Sequence, residues 1–352
     1  MKVGIVTSAY DRKREKGGTL QYTRRLVKKL KKKHGDEICL IHPVKSEDSL
    51  YEGVEEIIIP AGGKLQFLGI PKLQSAIVEK SIDAMHVLVQ NSADLFNFLV
   101  LDIPKILTVH DLYLFLDRNP SLDVEFSKLL LQSVKSLVDR FIVPSLSTMK
   151  DLRNILNVPE TDIRVIPEAP DVSFKPGGNK TRENPYILAH HLHPVGLKAF
   201  ARLKKGGIPH KLLIFGESYG TEEDAKNMGI REDVEILGYV SKEELIALYN
   251  GAEMFIRPIW YEGFGLPPLE AMACGCPVIA SNVGSLPEIL DDAALLVENE
   301  VNQWVEAMTR VIEDDGLRKD LSERSLSQAE KYSWGKTAEK TYQVYREVTE
   351  KD

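Results

Sequence analysis

Short runs of β-branched and apolar residues alternate along the chain with longer amphipathic stretches. In the first half such runs fall at 2–7, 38–42, 55–59, 84–89, 105–109, 140–143 and 163–166, and helical periodicity occupies 19–33, 122–138 and 146–156. This alternation predicts βαβ units and a mostly parallel sheet. Near Pro167 the pattern pauses: Pro167, Pro170, Pro176, Gly177, Gly178, Asn179 and Pro185 form a breaker-rich segment that reads as a linker. The alternation then restarts with strands expected at 186–189, 211–215, 234–237, 253–256, 277–281 and 294–297, and the tail from Val301 reads as helical throughout. Ser241-Lys242-Glu243-Glu244 carries a capping-box signature. The expected architecture is two doubly wound α/β domains, 1–170 and 171–334, facing each other across a cleft. Ligands of such sheets bind outside the carboxyl ends of the strands.

Length and composition agree with two globular domains: 352 residues, 43% hydrophobic and 28% charged. Three cysteines, Cys39, Cys274 and Cys276, are too few for a disulfide framework and point to a reducing, cytoplasmic compartment. The first residues read as a strand rather than a signal peptide, and no apolar run reaches the ~18 residues of a membrane span. Residues 1–170 carry 24 Lys and Arg against 22 Asp and Glu, and residues 171–352 carry 21 against 30. Neither half has the charge of a nucleic-acid binder.

The richest chemistry lies in 260–275, from Trp260-Tyr261-Glu262-Gly263-Phe264-Gly265-Leu266 to Pro267-Pro268-Leu269-Glu270 and beyond, between an expected strand and a helix. Pro267 and Pro268 suit a first helical turn. Gly263 and Gly265 let a backbone approach a ligand. The N–H groups of Phe264, Gly265 and Leu266 would open an anion site at the helix start. Glu262 and Glu270 are each fit to accept two hydroxyl donors, as a sugar diol offers. On spacing alone, a plain βα turn with a surface Glu and a helix-start Glu fits as well. Cys274 and Cys276 read as packing residues of the next turn.

This segment, with Cys276-Pro277-Val278-Ile279-Ala280-Ser281 and Gly284-Ser285-Leu286-Pro287-Glu288, resembles the retaining glycosyltransferases of the two-domain GT-B class called family 4. The match is dense over 234–288. Weaker pieces follow the family order: Gly17-Gly18, Thr108-Val109-His110-Asp111-Leu112, Val143-Pro144-Ser145, Val165-Ile166-Pro167 with Asp171, and Tyr332-Ser333-Trp334. The resemblance implies a terminal helix, 335–352, that returns to the first domain. It implies a nucleotide-sugar donor as substrate, with Glu270 on the ribose and Glu262 on the transferred sugar. The backbone of Gly263, Phe264, Gly265 and Leu266 would face sugar and diphosphate, Gly17 and Gly18 would approach the phosphates, and His110 would border the anomeric centre. Transfer would retain configuration, with the leaving phosphate taking the acceptor's proton. The acceptor would be a glycan or lipid-linked sugar of the cell envelope. No Asp-x-Asp motif or His/Cys cluster with ligand spacing is present in the sequence, so neither a metal nor a separate cofactor is expected.

Family members usually carry an Arg and a Lys after the first strand of the second domain, clamping the diphosphate. Here that stretch reads Tyr186-Ile187-Leu188-Ala189-His190-His191-Leu192-His193-Pro194 and lacks the pair. Three readings follow: Lys198 or the histidines reach the phosphates, Arg257 substitutes, or the site is degenerate and the chain is a catalytically silent sugar-nucleotide-binding partner. The first helix is strongly basic, with Arg24, Arg25, Lys28, Lys29, Lys31, Lys32 and Lys33 opposite a stripe of Leu20, Thr23, Val27 and Leu30. It reads either as a solvated face or as a peripheral contact with anionic lipid at the inner face of the membrane.

Overall fold

A computed structural model of the chain describes residues 1–7, 18–42, 49–59, 70–116, 122–177, 182, 184–218 and 220–350. Gly17 and the basic segment 11–16 lie outside the described residues. The chain divides into two compact units: Met1–Glu168 together with Trp334–Asp352, and Ala169–Ser333. The first unit thus ends two residues before the expected boundary, and the chain returns to it at Trp334.

The first unit holds a seven-stranded, all-parallel sheet: β1 (Val3–Val6), β2 (Ile38–His42), β3 (Glu55–Ile58), β4 (Ala84–Val87), β5 (Lys105–Thr108), β6 (Arg140–Val143) and β7 (Ile163–Val165), in the order β3-β2-β1-β4-β5-β6-β7. β1, β2 and β4 are buried along their whole length. A strand covered on both faces must be apolar throughout, which is why these segments read as continuous apolar runs.

The second unit holds six parallel strands: β8 (Tyr186–His190), β9 (Lys211–Phe215), β10 (Val234–Gly238), β11 (Met254–Arg257), β12 (Val278–Ser281) and β13 (Leu295–Val297), ordered β10-β9-β8-β11-β12-β13. Alternate residues of one strand feed two cores. Tyr186, Leu188 and Phe255 pack in one, and Ile187, Ala189, Met254 and Ile256 in the other. Each unit is therefore a Rossmann-like sheet. The strand order reverses between β1 and β4 in the first and between β8 and β11 in the second.

The helix Leu122–Val134 ends sooner than its periodicity suggests and tightens into a 3₁₀ turn, Lys135–Leu137. The tail is three helices, Val301–Glu313, Asp315–Glu330 and Trp334–Thr349. Asp314 breaks the first pair and caps the second helix, its carboxylate accepting from the Leu317 N–H at 2.9 Å. The last helix packs within the first unit. Its Tyr345 hydroxyl lies 2.7 Å from His86 Nδ1, Tyr342 donates to Glu37 at 2.6 Å, and Glu347 pairs with Arg140 and Arg164.

Candidate active site

In the second unit the chemistry gathers where β8 and β11 end. Arg257 is the last residue of β11 and is only 6% exposed. It lies on the same face as Phe255, inside the core edge. Its Nε and Nη2 donate to Glu262 Oε2 at 3.1 and 2.8 Å, and its Nη1 donates to the His190 carbonyl at 2.7 Å and lies 3.1 Å from His190 Nδ1. The expectation that Arg257 carries diphosphate charge meets a plain fact of geometry: most of its N–H donors already serve the protein. Burial, then the Arg257 charge, pushes His190 well below its ordinary value, so the imidazole is neutral and its Nδ1 can accept.

Glu262 is held from both sides. Ser285 donates its backbone N–H and its hydroxyl to the Glu262 carbonyl, each at 3.1 Å. Gly284, at φ +55°, lies against the same segment so closely that a Cβ there would sit 2.5 Å from the Glu262 carbonyl oxygen. Oε1 of Glu262 has no partner among the described residues. The following residues turn sharply. Gly265 takes φ +98° at the start of the helix Leu266–Ala273, where a Cβ would lie 2.8 Å from Leu286. Phe264 is buried and meets Tyr332 edge-on at 6.0 Å. The N–H groups of Phe264, Gly265 and Leu266 find no acceptor among the described residues, so the positive helix end stays open to an anion. Glu270 lies in the second turn of that helix, 7% exposed. Burial first, and then the Glu270 charge, pushes the Cys274 thiol up to about 12. Cys276 is raised by burial too. Both cysteines stay protonated and inert.

The stretch after β8 is short. His190 ends the strand and Pro194 opens the next helix, Pro194–Lys205. His191 is forced to φ +44° and bonds the Glu217 carbonyl through Nδ1 at 2.6 Å, while His193 caps the helix by accepting from the Val195 N–H at 3.2 Å. Burial lowers both imidazoles. Gly196 is pressed against Pro258, where a Cβ would lie 2.6 Å from its ring. Lys198 is exposed in the second turn of this helix.

In the first unit, Gly18 opens the helix Gly18–His34 and is exposed. Of the basic residues on that helix, Lys31 donates to the Ser49 carbonyl, Lys33 pairs with Glu339, and Arg25 lies 5.9 Å from the Trp334 ring centroid. Arg24, Lys28 and Lys32 are exposed at four-residue intervals. Tyr22 and Leu26 join Thr23, Val27 and Leu30 in its buried stripe, and Leu20 is only half-buried.

His110 follows β5 and is 8% exposed. Its Nε2 lies 3.0 Å from the Leu88 carbonyl and its Nδ1 3.2 Å from Glu168 Oε1. Gln90 braces the turn, accepting from the His110 N–H at 3.2 Å and donating to the Asp111 carbonyl at 3.0 Å. Burial works against a charged ring here, yet the Glu168 hydrogen bond and charge, with the Leu88 carbonyl, outweigh it and raise His110 above its ordinary value. Sequence reasoning missed Glu168 because it stands beside Pro167 in the breaker-rich segment. It also missed His190 as a partner of Arg257. Strand alternation, applied to 254–257, puts Arg257 on the core side and is the one signal that could have found that pairing.

The family models for "Glycosyltransferase Family 4" and "Glycosyl transferases group 1" match residues 16–174 and 190–328. The chain is 28% identical over 314 residues to the serotype-specific mannosyltransferase WbdA of Escherichia coli, covering 87% of this chain and 34% of that protein. It is 41% identical over 140 residues to the O-antigen chain mannosyltransferase B of Escherichia coli, covering 38% of this chain and 37% of that one. It thus spans about a third of the length of these curated relatives. The solved structure of Anabaena Alr3699/HepE in complex with UDP and glucose superimposes with a TM-score of 0.75 at 15% identity, covering 98% of this chain and 99% of that one.

Proposed function

The chain belongs to the family 4 glycosyltransferases of the GT-B fold class, and from that premise we propose that it moves a sugar from a nucleotide-sugar donor to a glycan or lipid-linked acceptor of the cell envelope, with retention of configuration and without a metal ion. The observation that carries this reading is the second unit's loop: Glu262 fixed by Arg257, an open helix start at Phe264-Gly265-Leu266, and Glu270 one turn further on. Glu270 is positioned to accept from ribose hydroxyls, and Glu262 to accept from the sugar through Oε1. The open N–H groups suit a diphosphate. The Escherichia coli relatives are mannosyltransferases and the Anabaena protein holds UDP and glucose, which support a nucleotide sugar and make a mannosyl donor the first to try.

The chemistry asked of the protein is positioning and charge. The acceptor hydroxyl attacks on the face the diphosphate leaves, and the leaving phosphate takes its proton. The test is transfer and hydrolysis measured on a panel of UDP-, GDP- and ADP-sugars with and without EDTA. Turnover that survives the chelator supports the reading. Turnover lost to EDTA and restored by Mg²⁺ or Mn²⁺ overturns its metal-free part.

One observation favours a second reading. With Arg257 turned to Glu262 and His190, Lys198 is the remaining sequence-named cation for a diphosphate. A chain that binds sugar nucleotides but turns none over, acceptors included, is a silent partner. The exposed Arg24, Lys28 and Lys32 support peripheral docking on anionic lipid at the cytoplasmic face. No helix among the described residues is long and apolar enough to cross a membrane.

A further inference from the structure

Two histidines sit one strand apart in the first unit, both buried. Among the described residues, His86, in β4, bonds neutral groups: the Tyr345 hydroxyl at 2.7 Å and the Thr108 hydroxyl at 2.8 Å. His110 bonds the Leu88 carbonyl and the Glu168 carboxylate. A carbonyl oxygen can only accept, and so can an ionised carboxylate. A ring that satisfies both must therefore carry a proton on each nitrogen. Glu168 is itself 7% exposed, and a carboxylate buried that far is tolerated when it is paired.

We propose that Glu168 is a positioning residue that holds His110 as a fixed, doubly protonated cation at the carboxyl end of β5. The inference rests on the reading of His110 as part of the donor and acceptor site. It assigns the residue a definite role there. With both nitrogens occupied, His110 cannot take a proton from an acceptor, so it contributes charge and shape. A cation placed where parallel-sheet ligands gather suits a reaction that releases an anionic diphosphate.

The surroundings are consistent with this from every side. On the helix Gly18–His34, the Tyr22 ring meets His110 edge-on at 4.6 Å between centroids, and its hydroxyl is turned away to Thr108. Asp111, next in the chain, adds negative charge. On β4, His86 is pushed down to about 3 by burial and then by the His110 charge, so it adds no competing cation. Of these neighbours, Glu168 alone is a carboxylate in contact with the ring.

The test reads protonation and turnover separately. Histidine is ¹⁵N-labelled in the full chain, and His110 is assigned by loss of its signal in His110→Asn. Both nitrogens of His110 should be protonated at pH 7 in the wild type, and the ring should be neutral at the same pH in Glu168→Gln. Turnover at pH 7 should fall by roughly tenfold or more in Glu168→Gln while KM for the donor stays nearly constant. Glu168→Asp, which keeps the charge and shortens the reach, replaces Glu168→Gln if that variant fails to fold, and should give an intermediate pH midpoint. A neutral His110 in the wild type at pH 7, or an unchanged pH midpoint in both variants, overturns the proposal. Full turnover by His110→Asn overturns the role of the cation in transfer. Should the wild type turn over no sugar nucleotide, the transferase reading fails on its own, and the nitrogen signals alone decide the role of Glu168.

Discussion

Arg257 and Glu262 form an ion pair in which two guanidinium nitrogens converge on one carboxylate oxygen, Oε2, and the other oxygen is left without a partner among the described residues. The pair is mostly buried, with side chains 7% and 17% exposed. A carboxylate held this way has one oxygen to fix its orientation and one to offer a ligand. On the proposed function, Arg257 would act on the sugar through Glu262 rather than on the phosphates.

Replacing Arg257 by Gln should lower turnover of the sugar nucleotide while leaving affinity for the free nucleoside diphosphate nearly unchanged. Stability should drop by about 3 kcal/mol, the low end for breaking a buried pair, because Glu262 keeps some contact with water. Calorimetric titration of diphosphate against monophosphate, run beside Lys198→Ala, checks this. A selective loss of diphosphate affinity in Arg257→Gln would mean that the guanidinium leaves Glu262 when the donor binds.

Gly284→Ala should disturb the same carboxylate from behind. The added methyl meets the Glu262 carbonyl oxygen at 2.5 Å on a backbone at φ +55°. The expected cost is about 1–3 kcal/mol from crowding, with more from the left-handed backbone. Thermal unfolding and donor KM should both worsen. An unaffected KM would show that the loop tolerates the shift.

Glu270→Ala should weaken nucleotide binding by roughly 1.5–3 kcal/mol, the range for hydrogen bonds to a charged group. Glu262→Ala should instead spare the free nucleotide and depress turnover. Equal damage from both substitutions in a binding assay would place the ribose and the sugar differently.

The buried histidines predict opposite pH responses. His86 has a folded value of about 3 against an ordinary 6.5, so the unfolded chain binds the proton first. Its contribution to stability is whole above pH 6.5 and declines as pH falls toward 3, by up to about 1.4 kcal/mol per pH unit. His110 is shifted the other way, so its contribution is whole below pH 6.5 and is lost as pH rises through its folded value. His86→Gln, whose amide can still meet Tyr345 and Thr108, should flatten the acid limb of a urea-midpoint profile. An unchanged limb would mean that other groups dominate acid unfolding.

Much of the fold could be read from the chain because parallel strands, covered on both faces, declare themselves as apolar runs, and Ser241 does cap its helix, accepting from the Glu244 N–H at 3.1 Å. The loop from Glu262 to Glu270 was legible for a related reason: glycines and prolines at fixed offsets mark a backbone that must turn and open a helix. Glu168 was not legible. Among prolines it reads as linker, and only the three-dimensional return of the chain beside His110 gives it a partner. The pairing of Arg257 with Glu262 and His190 was not legible, because position at a strand end says where a side chain starts and not which neighbour takes its donors.

The helix Trp334–Thr349 is last in sequence yet completes the first unit, and this has a consequence for biosynthesis. Domains ordinarily fold as they emerge, the N-terminal one first. Here residues 1–168 leave the ribosome without Tyr345 for His86 and without Glu347 for Arg140 and Arg164. At about 5–20 residues per second, the wait for those partners is roughly 10–40 s. The unit Ala169–Ser333 is itself made during that wait and is complete before the last helix emerges. The half that begins the chain is therefore the half that closes last, and a ribosome halted near Ser333 would release a finished second unit joined to an unfinished first.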